Sequence, residues 1–126
     1  MGLLLDTNVL IALMEQRLNE RLREALLTST TDLRASVASL WEIAIKVRLG
    51  KLTLNAPLER LPELLEGIGL ALLTIKADHV LAIALPEPPT RDPFDRLLLA
   101  QCSVEGLQLV TLDRALASHP LVWQSA

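Results

Sequence analysis

The sequence predicts an α/β fold: a mainly parallel sheet with helices on both faces. Three observations predict it. Short apolar runs at residues 2–5, 33–36, 70–75 and 107–110 each suit one buried strand, and helical patterns separate them. Acidic residues, Asp6 and Asp113, follow the first and last of these runs, where folds of this class place ligands beyond the carboxyl ends of strands at a switch in strand order. Hydrophobic residues make up 51% of the 126 and aromatics only 2%, so one domain spanning residues 1–126 must build its core from Leu, Ile, Val and Ala.

The elements follow in order. Residues 2–5 form a short strand that stops at Asp6, and Thr7 and Asn8 open a helical stretch through Ala12 and Met14. Asn19 caps a helix over 20–27, with Arg21, Arg23 and Glu24 on its polar side. A Ser-Thr-Thr-Asp turn at 29–32 leads into the strand at 33–36. Ser39 caps a helix over 40–49, which Gly50 ends. Pro57 starts a helix over 58–66, with Pro62 as a boundary or kink, and Gly67 and Gly69 close it.

The strand at 70–75 precedes a helix over 77–85, and Pro86-Glu87-Pro88-Pro89 then reads as a rigid loop. Pro93 stands in the first turn of a strong helix over 94–105, closed by Gly106. The strand at 107–110, a short helix over 113–117 and an edge strand at 121–123 complete the order. There is no internal repeat, linker or low-complexity segment.

Composition excludes several classes. Apolar runs such as 80–85 are far shorter than the roughly 20 residues of a membrane span. No basic region precedes the first apolar run, as a secretory signal requires. Asp6 stands where N-myristoylation needs Ser or Thr. The single cysteine, Cys102, cannot pair within the chain and reads as a buried apolar thiol, which fits a cytoplasmic setting. A net charge of −3 speaks against a nucleic-acid partner until Asp6, Glu42, Asp95 and Asp113 are set aside, which leaves +1. Charge alone does not decide.

Those four acids look like a carboxylate cage for a hard divalent cation, Mg²⁺ or Mn²⁺, which prefers oxygen ligands. If the first and last strands are neighbours, roughly 4.8 Å apart, Asp6 and Asp113 can reach one ion. Each acid also has a bland explanation. Asp6 and Asp113 can be helix N-caps, and Asp92, just before Pro93, is a better one. Asp95 would sit in a first helical turn, where the dipole favours negative charge and keeps the group ionised. Glu42 stands four residues before Lys46, the favoured order for an ion pair. Yet Leu40, Trp41, Ile43, Ala44, Ile45, Val47 and Leu49 leave that helix little polar surface, and a carboxylate there needs a cation. Lys46 alone, or a metal with Lys46 nearby, would serve.

Taken together, Leu4-Leu5-Asp6-Thr7-Asn8, Trp41-Glu42-Ile43 with Ile45-Lys46 and Gly50-Lys51-Leu52, Arg91-Asp92-Pro93-Phe94-Asp95-Arg96 with Ala100-Gln101, and Leu109-Val110-Thr111-Leu112-Asp113 resemble PIN-domain ribonucleases. More closely, they are similar to VapC-type toxins of bacterial toxin–antitoxin pairs. The resemblance covers essentially the whole chain. It implies a three-layer α/β/α sandwich with a five-stranded parallel sheet, and an Mg²⁺- or Mn²⁺-dependent endoribonuclease. It makes Asp6, Glu42, Asp95 and Asp113 the acidic quartet, with Asn8 and Thr111 as polar residues that orient it. Thr90 stands where related sequences often carry His, which affects only a secondary contact.

An RNA substrate, a cognate antitoxin protein and a homodimer are the expected partners. The helix at 40–49 around Trp41, or that at 77–85, would supply the dimer patch. Arg91, Arg96 and Arg114 flank proposed ligands and are the phosphate-binding candidates; Arg17, Arg21, Arg23 and Arg48 read as solvated. His79 and His119 read as structural or exposed. Scarce aromatics favour recognition of phosphate and shape over extensive base stacking. A chain without a pro-segment or regulatory domain would need a separate inhibitor, with Arg or Lys inserted among the acids. Two other functions compete. One is a PIN-like binding module without catalysis. The other is a phosphoryl-aspartate enzyme, disfavoured as a phosphatase because Asp6-Thr7-Asn8 lacks a second acid two residues after the first.

Overall fold

A computed structural model describes residues 1–124. Its sheet has four parallel strands: β1 (Leu3–Leu5), β2 (Leu33–Ser36), β3 (Leu70–Leu73) and β4 (Gln108–Val110), in the order β3-β2-β1-β4. The fifth strand expected at 121–123 is reduced to one parallel bridge between Val122 and Leu109. The Leu109 amide donates to the Leu121 carbonyl at 2.7 Å, and the Trp123 amide to the Leu109 carbonyl at 2.8 Å. The Leu121 amide, next in that ladder, instead donates to His119 Nδ1 at 3.1 Å, so the pairing stops after one step.

Strand geometry sends alternate side chains to opposite faces, and the short strands are apolar on both. Leu3 and Leu5 enter a core with Val9 and Leu10 of α1 (Thr7–Met14), Leu26 of α2 (Glu20–Ser29) and Leu61 and Leu65 of α4 (Leu61–Gly67). Leu4, between them, faces a second core with Leu98, Leu99 and Cys102 of α6 (Pro93–Glu105) and Leu116. Ile43 of α3 (Val37–Arg48) joins the first core and Ala38 the second. Three layers result. Cys102 is fully buried, as expected, and burial pushes its thiol up to about 12.

Several boundaries differ from the sequence reading, each for a local reason. Ser36, not Ser39, caps α3, its hydroxyl accepting from the Ala38 amide at 3.0 Å, so the helix starts at Val37. The stretch after Pro57 divides into a 3-10 turn at Leu58–Arg60 and α4, with Pro62 in the first turn of α4. The third strand ends at Leu73, before the polar Thr74. The helix expected over 77–85 closes early as α5 (Ala77–Leu81). From its last residue on, Leu81, Ile83 and Leu85 stay exposed while Ala82 is partly and Ala84 fully buried, an alternation of period two that suits extended chain rather than helix. The helix expected over 113–117 is a run of turns: the Leu116 amide bonds to the Asp113 carbonyl and the Ala117 amide to the Arg114 carbonyl, three residues back.

Both histidines are buried and structural. His79 Nδ1 accepts from the Lys76 amide at 3.0 Å, leaving Nε2–H to donate to Glu105 at 2.8 Å, so α5 is pinned to α6. His119 Nδ1 accepts from the Leu121 amide and Nε2–H donates to the Pro86 carbonyl at 2.7 Å, joining the proline loop to the terminal strand. Among the described residues no helix is long and apolar enough to cross a membrane.

Candidate acidic site at the switch point

The chain steps from β1 to β2 to β3 on one side of the sheet, then returns to place β4 on the other side of β1. The crevice this leaves lies beyond the carboxyl ends of β1 and β4, where folds of this kind bind ligands. Asp6 stands at its floor. Its backbone amide donates to the Val110 carbonyl at 3.0 Å, continuing the ladder between the two strands, and its carboxylate caps α1 by accepting from the Val9 amide at 2.9 Å. The cap reading is therefore correct for Asp6, and it does not exhaust the residue: only 5% of Asp6 is exposed. Burial raises its carboxyl above the ordinary range, hydrogen bonds from Thr111 and Val9 oppose the rise, and the charges of Glu42 and Asp113 add to it.

Glu42 comes from α3. Sequence reasoning missed the contact that holds this helix against Asp6: the buried Thr7 hydroxyl donates to the buried Ser39 hydroxyl at 2.9 Å. Ser39, Glu42 and Lys46 are three and seven residues apart in register, one face of one helix. That periodicity was the available signal. Lys46 Nζ lies 3.4 Å from the Glu42 carboxylate, so the expected ion pair exists.

Asp95 occupies the first turn of α6, whose N-cap is Asp92, accepting from the Phe94 amide at 2.9 Å. The helix N-terminus was expected to keep Asp95 ionised; the balance goes the other way. Burial, then the charges of Asp92, Asp6, Glu42 and Asp113, push it up to about 6. A helix dipole is worth only about 0.3–1 kcal/mol to a nearby charge, and four like charges with burial outweigh it. Asp113 is exposed on the last lip. Its amide donates to the Thr111 hydroxyl at 3.0 Å and its carboxylate accepts from the Ala115 amide at 2.9 Å, a local turn rather than a helix cap. Asn8 is exposed on the first turn of α1 beside Asp6.

The fold thus brings Asp6, Glu42, Asp95 and Asp113 into one electrostatic neighbourhood, and Thr111 ties two of them together. Among the described residues no group of three or more His, Cys, Asp or Glu side chains is arranged to hold an ion as it stands. Repulsion among carboxylates, together with the local bonds of Asp6, Glu42 and Asp113, accounts for that spread. The donor chemistry, all hard oxygen with no thiolate or imidazole, fits Mg²⁺ or Mn²⁺.

Arg96 is engaged elsewhere. Its guanidinium donates to the Thr90 carbonyl at 2.6 Å, the Glu87 carboxylate at 3.2 Å and the Pro88 carbonyl at 3.4 Å, bracing the proline loop. Arg91 and Arg114 are exposed, next in sequence to Asp92 and Asp113 respectively. Trp41 and Phe94, neighbours in sequence of Glu42 and Asp95, form an edge-to-face pair with centroids 5.6 Å apart, which links α3 to α6 at the rim.

The solved structures include a chain similar in fold, from "Toxin-antitoxin complex from Klebsiella pneumoniae", at 20% identity and a TM-score of 0.68, covering 99% of this chain and 98% of that one. No curated protein matches the sequence. The PIN domain family matches residues 3–120, from the first strand through the turns that carry Asp113. With that match laid over this strand order, the chain belongs to the PIN domain family, whose members are generally nucleases.

Proposed function

We propose that this PIN domain, spanning residues 1–126, is a divalent-metal-dependent endoribonuclease of the VapC type and the toxin of a cytoplasmic toxin–antitoxin pair. The observation that carries the reading is the acid crevice itself: four carboxylates from four separate segments meet at the switch point of the sheet, where burial and then the charges of Glu42 and Asp113 raise both Asp6 and Asp95. A protein gains nothing in stability from such a cluster, so the arrangement suits a cationic ligand. Asp6, Glu42, Asp95 and Asp113 would hold Mg²⁺ or Mn²⁺. Bound there, the cation supplies water activation at neutral pH and neutralises charge on the phosphate oxygens.

The chain's own residues do the rest. Thr111 and the Val9 amide fix the Asp6 carboxylate, Lys46 steadies Glu42, and Asp92 holds the helix end that presents Asp95. Asn8, next to Asp6 on the first turn of α1, would help orient the crevice floor, and the exposed Arg91 and Arg114, each beside an acid in sequence, would meet substrate phosphates. Cleavage of a panel of structured RNAs by the purified protein, lost with chelator and restored by Mg²⁺ or Mn²⁺, tests this. Cleavage that survives chelation, or none with either ion, overturns it.

The structural neighbour comes from a toxin–antitoxin complex, which supports a protein antitoxin as partner here. A basic segment of that partner would enter the acid crevice, displacing the cation by charge. Expression of the wild type in a host lacking the partner should arrest growth while the Asp6→Asn variant grows normally, and co-expression of a small adjacent gene product should rescue growth. Equal growth of both strains, with the wild type abundant and soluble, would count against a toxin.

A homodimer is supported by the exposed apolar run across the end of α5 and the chain beyond it, where Leu81 is 81% and Leu85 77% exposed beside Val80 and Ile83. A Leu81→Asp/Leu85→Asp double variant should be monomeric by light scattering where the wild type is a dimer. These side chains touch little of their own core, so the fold should survive. A wild type that runs as a 13.8 kDa monomer at micromolar concentrations removes the dimer.

A further inference from the structure

A cleft of about 630 Å³ opens between α2 and the carboxyl end of β4. Arg21 and Leu22 of α2 form one wall, Leu112 and Trp123 the other, and Thr111 its inner end. That Thr111 hydroxyl accepts the Asp113 amide and supports the Asp6 carboxylate, so the inner end of the cleft adjoins the acid crevice.

Two features distinguish this cleft from ordinary surface. Arg17, Arg23, Arg34, Arg60 and Arg96 pair with carboxylates, and of the four arginines without an ion-pair partner among the described residues (Arg21, Arg48, Arg91 and Arg114) Arg21 is the one that lines this cleft. Trp123 is half-buried, its backbone tied to Leu109 and its indole packed against the core around Leu3 and Leu5 while one part stays open to the cleft. A flat apolar wall beside an unpaired cation matches a nucleobase with its attached phosphate: the base stacks while the guanidinium meets the phosphate. The three aromatic residues of the chain then fall on two sides of the acids, Trp41 and Phe94 at one rim and Trp123 in the cleft.

The geometry points to the Arg21–Trp123 cleft as the seat of a nucleotide of single-stranded RNA next to the phosphate that is cut, an assignment that rests on the nuclease reading above. The sequence alone gave Arg21 a solvated role and little weight to stacking; the cleft changes both. Base stacking on an aromatic holds a strand position without reading its sequence, because every base offers a π-face.

The test separates this seat from the nuclease reading by measuring binding without cleavage. In a Trp41→Phe background Trp123 is the sole indole, and hexauridylate or hexaadenylate is titrated into the full-length protein in chelator at low salt. Quenching of the Trp123 emission is expected, with affinity lowered about tenfold by Arg21→Gln, corresponding to about 1.4 kcal/mol. The slope of log affinity against log salt should fall by about 0.7 with that change, the value for one single-strand phosphate contact. Arg48→Gln, on α3, should alter neither. Binding unaffected by Arg21→Gln, or an absence of quenching, overturns the seat whether or not the protein cleaves RNA. Quenching of Trp123 by a partner protein but not by either oligonucleotide also overturns it, in favour of a peptide groove. Loss of metal-dependent cleavage with binding intact would instead remove the nuclease reading and leave the nucleotide seat standing.

Discussion

Asp6→Asn and Asp113→Asn are each expected to lower RNA cleavage by on the order of 10³-fold, since the metal site supplies several kcal/mol and each 1.36 kcal/mol is a tenfold change in rate. The structure makes asparagine an unusually clean replacement at both positions. The Asp6 carboxylate accepts from the Val9 amide and that of Asp113 from the Ala115 amide. An asparagine side-chain oxygen can accept the same bonds, and Asn is as good a helix cap as Asp. The charge goes while the local structure stays. Alanine at position 6 would also remove the cap, at a cost of about 1 kcal/mol, and would confuse folding with chemistry. Neither Asn variant should melt below the wild type without metal, because burial and neighbouring carboxylates already disfavour the charged Asp6. Cleavage close to wild type by both variants, measured on folded protein, would remove these carboxylates from the reaction.

How much of this was legible in the residues depends on the range over which each signal acts. The Asn19 and Asp92 caps and the Gly106 stop are written in single residues and their neighbours, and all three stand as read; the strands at 33 and 70 start where expected, and those expected at 2 and 107 start one residue later. The helix over 77–85 misled because an apolar run does not announce its period: Ala82 and Ala84 face inward and Leu81, Ile83 and Leu85 outward. The fifth strand needs a partner edge, and only one bridge forms. In the site, the four acids could be singled out from local patterns and the family resemblance. Their mutual influence depends on strand order, since β4 must return beside β1. The Thr7–Ser39 bond, the outward brace of Arg96 and the cleft of Arg21 and Trp123 are contacts between distant segments, invisible to local periodicity. The sign at Asp95 follows first from burial, which only the folded chain creates, then from the nearby Asp92, and then from Asp6, Glu42 and Asp113, which come from distant segments.

Asp95 carries the second large effect, a pH dependence with opposite signs without and with metal. Its folded value of about 6 lies above the ordinary carboxylate range. Between roughly pH 4 and 6 the folded chain therefore holds a proton that the unfolded chain has released. Folded-state proton binding in excess of the unfolded state means that stability contributed by this group is present at low pH and is lost as pH rises through about 6. Metal-free Asp95→Asn should accordingly melt above the wild type at pH 7.5, with the gap closing toward pH 4.5. Loss of the favourable helix-end charge works against this by at most about 1 kcal/mol, and the raised value shows which influence prevails. With Mn²⁺ present the order should reverse, because ligation requires the ionised carboxylate. Wild-type affinity for the ion should fall by up to about tenfold for each pH unit below 6 that Asp95 is protonated, whereas the Asn variant should bind weakly throughout and lack this acid limb. Melting curves across pH with and without Mn²⁺, beside direct titration of the ion, measure both signs. A metal-free gap that does not change with pH, or a variant less stable than the wild type at pH 7.5, would show that Asp95 does not sit in the repulsive field of Asp92, Asp6, Glu42 and Asp113.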